Sequence, residues 1–68
     1  MRTNIEAERG RKGYSKEALS RELGVTSRTY RNYLAGSPIP SDKLIHMARL
    51  FNCSTDYLLG LTTRRDPA

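Results

Sequence analysis

Residues 23–36 read LGVTSRTYRNYLAG. Thr26 suits a helix N-cap, because its hydroxyl can accept from backbone N–H groups left unpaired in the first turn, and Gly36 suits the residue after a helix end. The segment between them is therefore expected to be helical. At about 100° per residue, Tyr30, Tyr33 and Leu34 fall on one side, while Arg28, Arg31, Asn32 and Ala35 fall on the other with Ser27 at the border. One face is aromatic and apolar; the opposite face is basic and amide-bearing, with no acid. Upstream, Gly24 can take positive φ, so the preceding helix must cross this one steeply, with Val25 plugging the angle.

The polar face has a chemistry. Guanidinium and carboxamide groups pair bidentately with base edges, arginine with guanine and asparagine with adenine. Arg28 and Asn32 are four residues apart and project side by side, a spacing that fits a DNA major groove. The charge balance agrees: Lys and Arg number 12 against 7 acids, for a net charge of +5 and a pI near 9.9. Residues 1–35 hold eight of the bases and four of the acids, so the positive field belongs to the first half. Such a field favours a polyanionic partner.

The same start and stop signals recur along the 68 residues and predict five short helices. Thr3 and Glu6 have the spacing of a capping box, so the first helix is expected from about Asn4 to Lys12. With Ile5 and Ala7 as its only apolar residues, its inward face is expected to use arginine and lysine stems. Ser15 caps a second helix closing before Gly24. Ser41, followed by Asp42, opens a fourth that closes at Asn52, and Ser54 opens a fifth that closes at Gly60. Leu19 and Leu23, then Leu44, Met47, Ala48 and Phe51, then Tyr57, Leu58 and Leu61 supply the core with Tyr30 and Tyr33. Ile39, held extended within SPIP, packs inward. After Leu61 the tail TTRRDPA has no apolar anchor and is expected to fray.

Other function classes find little support. One cysteine, Cys53, forms no internal disulfide and is read as a packing thiol of a reducing compartment. His46 has no neighbours at ligand spacing, so no metal is expected. No nucleophile and base pair or glycine-rich phosphate loop is visible, so no enzyme is expected. MRTNIEAERGRKG lacks the apolar run of a signal peptide, and a cytoplasmic protein is expected.

KEALSRELGVTSRTYRNYLA, residues 16–35, resembles the helix-turn-helix of the lambda-type phage repressor and Cro family, also called the XRE family. The resemblance rests on Leu19, Ser20, Leu23, Gly24 and Val25. PSDKLIHMARLFNCSTDYLLG, residues 40–60, is similar to the family's fourth and fifth helices. The resemblance implies an all-α, compact five-helix lambda-repressor-like DNA-binding domain over residues 1–61, with a flexible tail over 62–68. Ser27, Arg28 and Asn32 fall at its base-reading positions, the face that helical spacing isolates independently. Arg9 and Lys16 fall at phosphate-contacting positions, and Thr26, Thr29 and Arg31 would flank the base readers and reach the backbone. Three departures stand out. Ser20 replaces a usual alanine, and its hydroxyl can bond the carbonyl four residues back. Leu34 replaces a frequent glutamate. Tyr30 replaces a β-branched residue, and must tilt the helix pair or extend its hydroxyl to solvent.

The implied function is sequence-specific binding of double-stranded DNA by a prokaryotic or phage repressor or Cro-like regulator in the nucleoid. Its operator would be palindromic, bound by a weak homodimer joined through the fifth helix and tail, with no cofactor, small-molecule ligand or membrane. Arg64 and Arg65 are read either as a phosphate-touching arm or as solvated charges. The alternative is a protein-interaction module on the same scaffold, an antitoxin or anti-repressor, which should replace charge on the outward face of the third helix with apolar anchors and which an exposed Tyr30 or Tyr33 would suit.

Overall fold

The structure is a computed structural model that describes residues 1–66. It contains α1 (Thr3–Lys12), α2 (Lys16–Leu23), α3 (Ser27–Ala35), α4 (Ser41–Phe51) and α5 (Thr55–Leu58), with no strand among the described residues. The expected all-helical class and five-helix order are both present. α2 and α3 pack on each other across residues 24–26, α1 lies against α3, α4 and α5, and α4 closes over α2 and α5. Ile5, Leu19, Leu23, Tyr30, Leu34, Met47, Phe51, Cys53, Tyr57 and Leu58 form one buried cluster, with Tyr14, Val25, Ile39 and Leu44 packed on its margin.

The helix ends follow one rule. After each helix the next two N–H groups turn back onto its last carbonyls: Gly24 to Arg21 (3.0 Å) and Val25 to Ser20 (3.0 Å), and likewise Asn52 to Arg49 and Cys53 to Ala48. This paired closure requires a left-handed residue. Gly24 supplies it at φ 72° and Asn52 at φ 53°. The closure then throws Val25 and Cys53 back toward the core, so residues 24–26 and 52–54 suffice to join each pair of helices. At the other ends, Ser15, Thr26 and Ser54 accept from the N–H groups of Ala18, Thr29 and Tyr57, as expected. The Ser20 hydroxyl donates to the Lys16 carbonyl at 2.7 Å.

Several expectations are corrected. The capping box of Thr3 and Glu6 does not form: Arg2 is the N-cap without a side-chain bond, and Glu6 turns to Arg9 and Tyr30. A guanidinium and a phenol outcompete one backbone N–H for the carboxylate. Ser41 is the first residue of α4 and not its cap; Pro40 takes the cap position and makes no side-chain bond. Leu61 is 73% exposed, because the chain turns at Gly60 before reaching it. The inward face of α1 is Ile5 with Glu8, not cationic stems.

Glu8 also overturns the expectation of an unanchored tail. Its fully buried carboxylate accepts from Arg65 Nη2 (2.8 Å) and Nε (3.2 Å) and from the Tyr57 hydroxyl (3.1 Å). Arg65 also donates to the Phe51 carbonyl at 3.0 Å, and its own carbonyl accepts from the Ser54 N–H at 3.0 Å. The anchor is polar, so no apolar pattern announced it. Residues 67 and 68 of the expected tail lie outside the described residues.

Two glycine substitutions should have opposite signs. A Cβ at Gly24 would lie 3.5 Å from Lys43 Nζ, which is ordinary contact, so the penalty of Gly24→Ala is conformational. It should destabilise by about 1–2 kcal/mol. Gly10, inside α1 with nothing within 4 Å of a Cβ, should gain about 0.5–1 kcal/mol as alanine. Urea unfolding of the two variants checks both.

Candidate nucleic-acid interface

α3 presents its two faces as helical spacing requires. Tyr30, Tyr33 and Leu34 are buried, while Arg28, Arg31 and Asn32 are exposed and Ser27 and Thr29 lie between. Among the described residues no hydrogen bond or ion pair involves the side chain of Arg28, Arg31, Asn32 or Ser27. Thr26 caps the helix with its hydroxyl, which also sits 3.0 Å from that of Thr29. The first turn of α3 holds no acid, so nothing offsets the partial positive charge of its N-terminus.

Lys16 stands at the start of α2, exposed, with its ammonium 3.9 Å from Glu6. Arg9 is more deeply engaged. It spans both Glu6 oxygens at 2.9 and 3.1 Å and donates to the Tyr14 carbonyl at 2.7 Å. Its guanidinium thus ties α1 to the turn before α2, and two of its N–H groups are left without a bond among the described residues. Arg65, the other cation considered for an arm, is held by Glu8; Arg64 is exposed.

Sequence reasoning missed three residues that organise this surface. Glu6 joins α1, α2 and α3 by meeting Arg9, Lys16 and the Tyr30 hydroxyl (2.7 Å). Tyr30 therefore neither reaches solvent nor leaves its hydroxyl unpaired; its ring is fully buried and its polar end is satisfied inside. Arg2 binds the carbonyls at the C-terminal end of α3, Tyr33 at 2.7 Å and Ser37 at 2.5 Å. Lys43 brings a cation from α4 to the α2–α3 turn. The signal for Glu6 was available in principle: an acid three residues before Arg9 on a helix, and a tyrosine needing a partner.

The electrostatics are those of shielded carboxylates. The Arg9 guanidinium holds Glu6 below its usual range against the opposing effect of burial, with help from the Tyr30 hydroxyl and Lys16. Arg65 does the same for Glu8. Burial pushes the Tyr30 phenol and the Cys53 thiol up, so both stay protonated at neutral pH. Among the described residues no group of His, Cys, Asp and Glu could hold a metal ion, and no helix is long and apolar enough to cross a membrane.

Residues 5–58 match the helix-turn-helix family. The chain belongs to that family, in the lambda-repressor and Cro type whose motifs residues 16–35 and 40–60 carry. It is 44% identical over 52 residues to YobD of Bacillus subtilis (strain 168), an uncharacterized HTH-type transcriptional regulator; the match covers 75% of this chain and 46% of the relative. The chain thus spans less than half of that protein. No solved structure gives a significant match.

Because Glu6 and Glu8 titrate lower when folded than when unfolded, their contribution is complete above the ordinary value of 4.5 and is lost as pH falls through their depressed folded values. Unfolding free energy should be nearly flat from neutral pH to about pH 5 and fall steeply below about pH 4. Urea unfolding across this range checks it, and the acid loss should shrink in Glu6→Gln.

Proposed function

We propose that this chain binds double-stranded DNA sequence-specifically, with α3 in the major groove, as a transcriptional regulator of the repressor or Cro type. The observation that carries this reading is the solvent face of α3, where Arg28, Arg31 and Asn32 are exposed without side-chain partners among the described residues, on a helix that carries no acid. An unpaired guanidinium and carboxamide on one helix face are disposed for bidentate base pairing. α3 has nine residues, roughly 13 Å of helix, in a molecule of 28 × 23 × 20 Å. Its family membership and its transcriptional-regulator relative support the same reading.

In this arrangement Ser27, Arg28 and Asn32 read base edges. Lys16, Thr26, Thr29 and Arg31 hold the phosphates on either side, and Arg9 joins them through the N–H groups that Glu6 and Tyr14 leave over. A palindromic operator would take two copies as a weak dimer, with the α3 helices about one DNA turn, roughly 34 Å, apart. Leu61, beside α5, is one of the exposed apolar residues and could serve that contact. A DNA-bound regulator of this kind works in the cytoplasm at the nucleoid. The protein-interaction alternative would have been favoured by an exposed tyrosine on α3, and Tyr30 and Tyr33 are both buried.

Selection of bound duplexes from a random pool tests the function. Arg28→Ala should then cost about 1–3 kcal/mol on the selected site and relax the preference at one base position. Lys16→Ala should weaken all duplexes alike and reduce the salt slope by about one. Selection that yields no sequence preference at low salt would overturn the reading.

A further inference from the structure

α1 holds α3 by polar attachments at two separate places. In the middle of α3, the hydroxyl at the end of the buried Tyr30 ring donates to Glu6 Oε2 at 2.7 Å. At its C-terminal end, Arg2 encloses the chain. Its guanidinium donates to the carbonyls of Tyr33 (2.7 Å), Ser37 (2.5 Å) and Gly36 (3.5 Å), and its backbone N–H donates to the Leu34 carbonyl at 2.8 Å. Both attachments come from one rigid helix and its N-cap, four residues apart.

The apolar side of α3 decides which face is buried, but apolar burial is non-directional and tolerates a few degrees of roll and a fraction of an ångström of slide. Hydrogen bonds tolerate less, because they weaken steeply off axis. Base recognition needs that precision: a binding constellation must be held within about 0.5 Å and 10–20° of its productive geometry. A long side chain such as Arg28 magnifies any roll of the helix that bears it. Glu6 meets α3 through the buried Tyr30 and Arg2 through the carbonyls at its C-terminal end, so neither hydrogen-bonds to the side chain of Arg28 or Asn32.

We propose that Arg2 and Glu6 are positioning residues for base readout: through the C-terminal carbonyls of α3 and the Tyr30 hydroxyl they set the roll and tilt of α3, on which pairing by Arg28 and Asn32 depends. This inference rests on the DNA-reading function proposed above. It assigns sequence discrimination to an acid and to a cation that spends its charge on protein carbonyls instead of phosphate.

Two mild variants test it. Tyr30→Phe keeps ring and net charge and removes only the bond to Glu6; Arg2→Gln removes the guanidinium fork. Affinities for the selected duplex and for a mixed-sequence duplex are measured at two salt concentrations, well below the melting temperature, with helicity checked by circular dichroism. Each folded variant should lose about tenfold or more in the ratio of the two affinities, with mixed-sequence affinity and salt slope unchanged. A ratio that stays at the wild-type value despite a lower melting temperature marks a merely structural role and overturns the proposal. A salt slope shallower by about one in Arg2→Gln also overturns it, since Arg2 would then be a phosphate contact. If the wild-type chain itself shows no preference, the DNA reading falls and this inference with it; a wild-type preference retained in both variants sinks only the positioning role.

Discussion

Short helices have more loose ends than long ones, and satisfying those ends is the constraint around which this molecule is built. Its helices run from four to eleven residues, below the length at which an isolated helix holds in water. Each leaves carbonyls without intrahelical partners. Two devices meet them. The chain closes each helix with back-bonded N–H groups, and α1 with its N-cap then reaches across the fold with side-chain donors, Arg2 to the end of α3 and Asn4 to the Tyr57 carbonyl at the end of α5, while Arg9 fastens the adjacent turn at the Tyr14 carbonyl. The helix with the smallest share of apolar residues is therefore the one that ties most of the others together.

This division explains what was legible in the sequence. Helix order, the α2–α3 turn, three of the caps and the two faces of α3 all follow from local rules: a hydroxyl before a helix, a left-handed residue after it, a side-chain period along it. Ser20, Thr26, Gly24 and Asn52 needed no knowledge of distant parts of the chain. Glu8 did. A glutamate on a weakly amphipathic helix reads as solvated, and its burial depends on Tyr57 and on Arg65, 57 residues away. Arg2 was equally hidden, because its partners lie at the end of α3, whereas Glu6 had Arg9 within local reach and only its bond to Tyr30 waited on the docking of α1. Leu61 failed for the complementary reason: its place in the apolar pattern was right, but one turn at Gly60 carried it outside.

The cations divide along the same line. Arg2, Arg9 and Arg65 are committed to protein acceptors, whereas Arg28 and Arg31 face solvent without one among the described residues. Net charge alone could not separate these groups, although both add equally to it. The positive first half of the chain is thus partly an internal fastening and partly an outward surface, and its working part is smaller than the count of basic residues suggests.

The Arg65 anchorage bears on where the folded unit stops. A chain cut after α5 would keep every helix and every apolar core residue, yet it would strand the Glu8 carboxylate in the interior with a phenol and a half-exposed Arg11 for company. The apparent end of the helical pattern is thus not a safe place to trim, and any segment joined beyond residue 66 starts from a point fastened directly to the first helix.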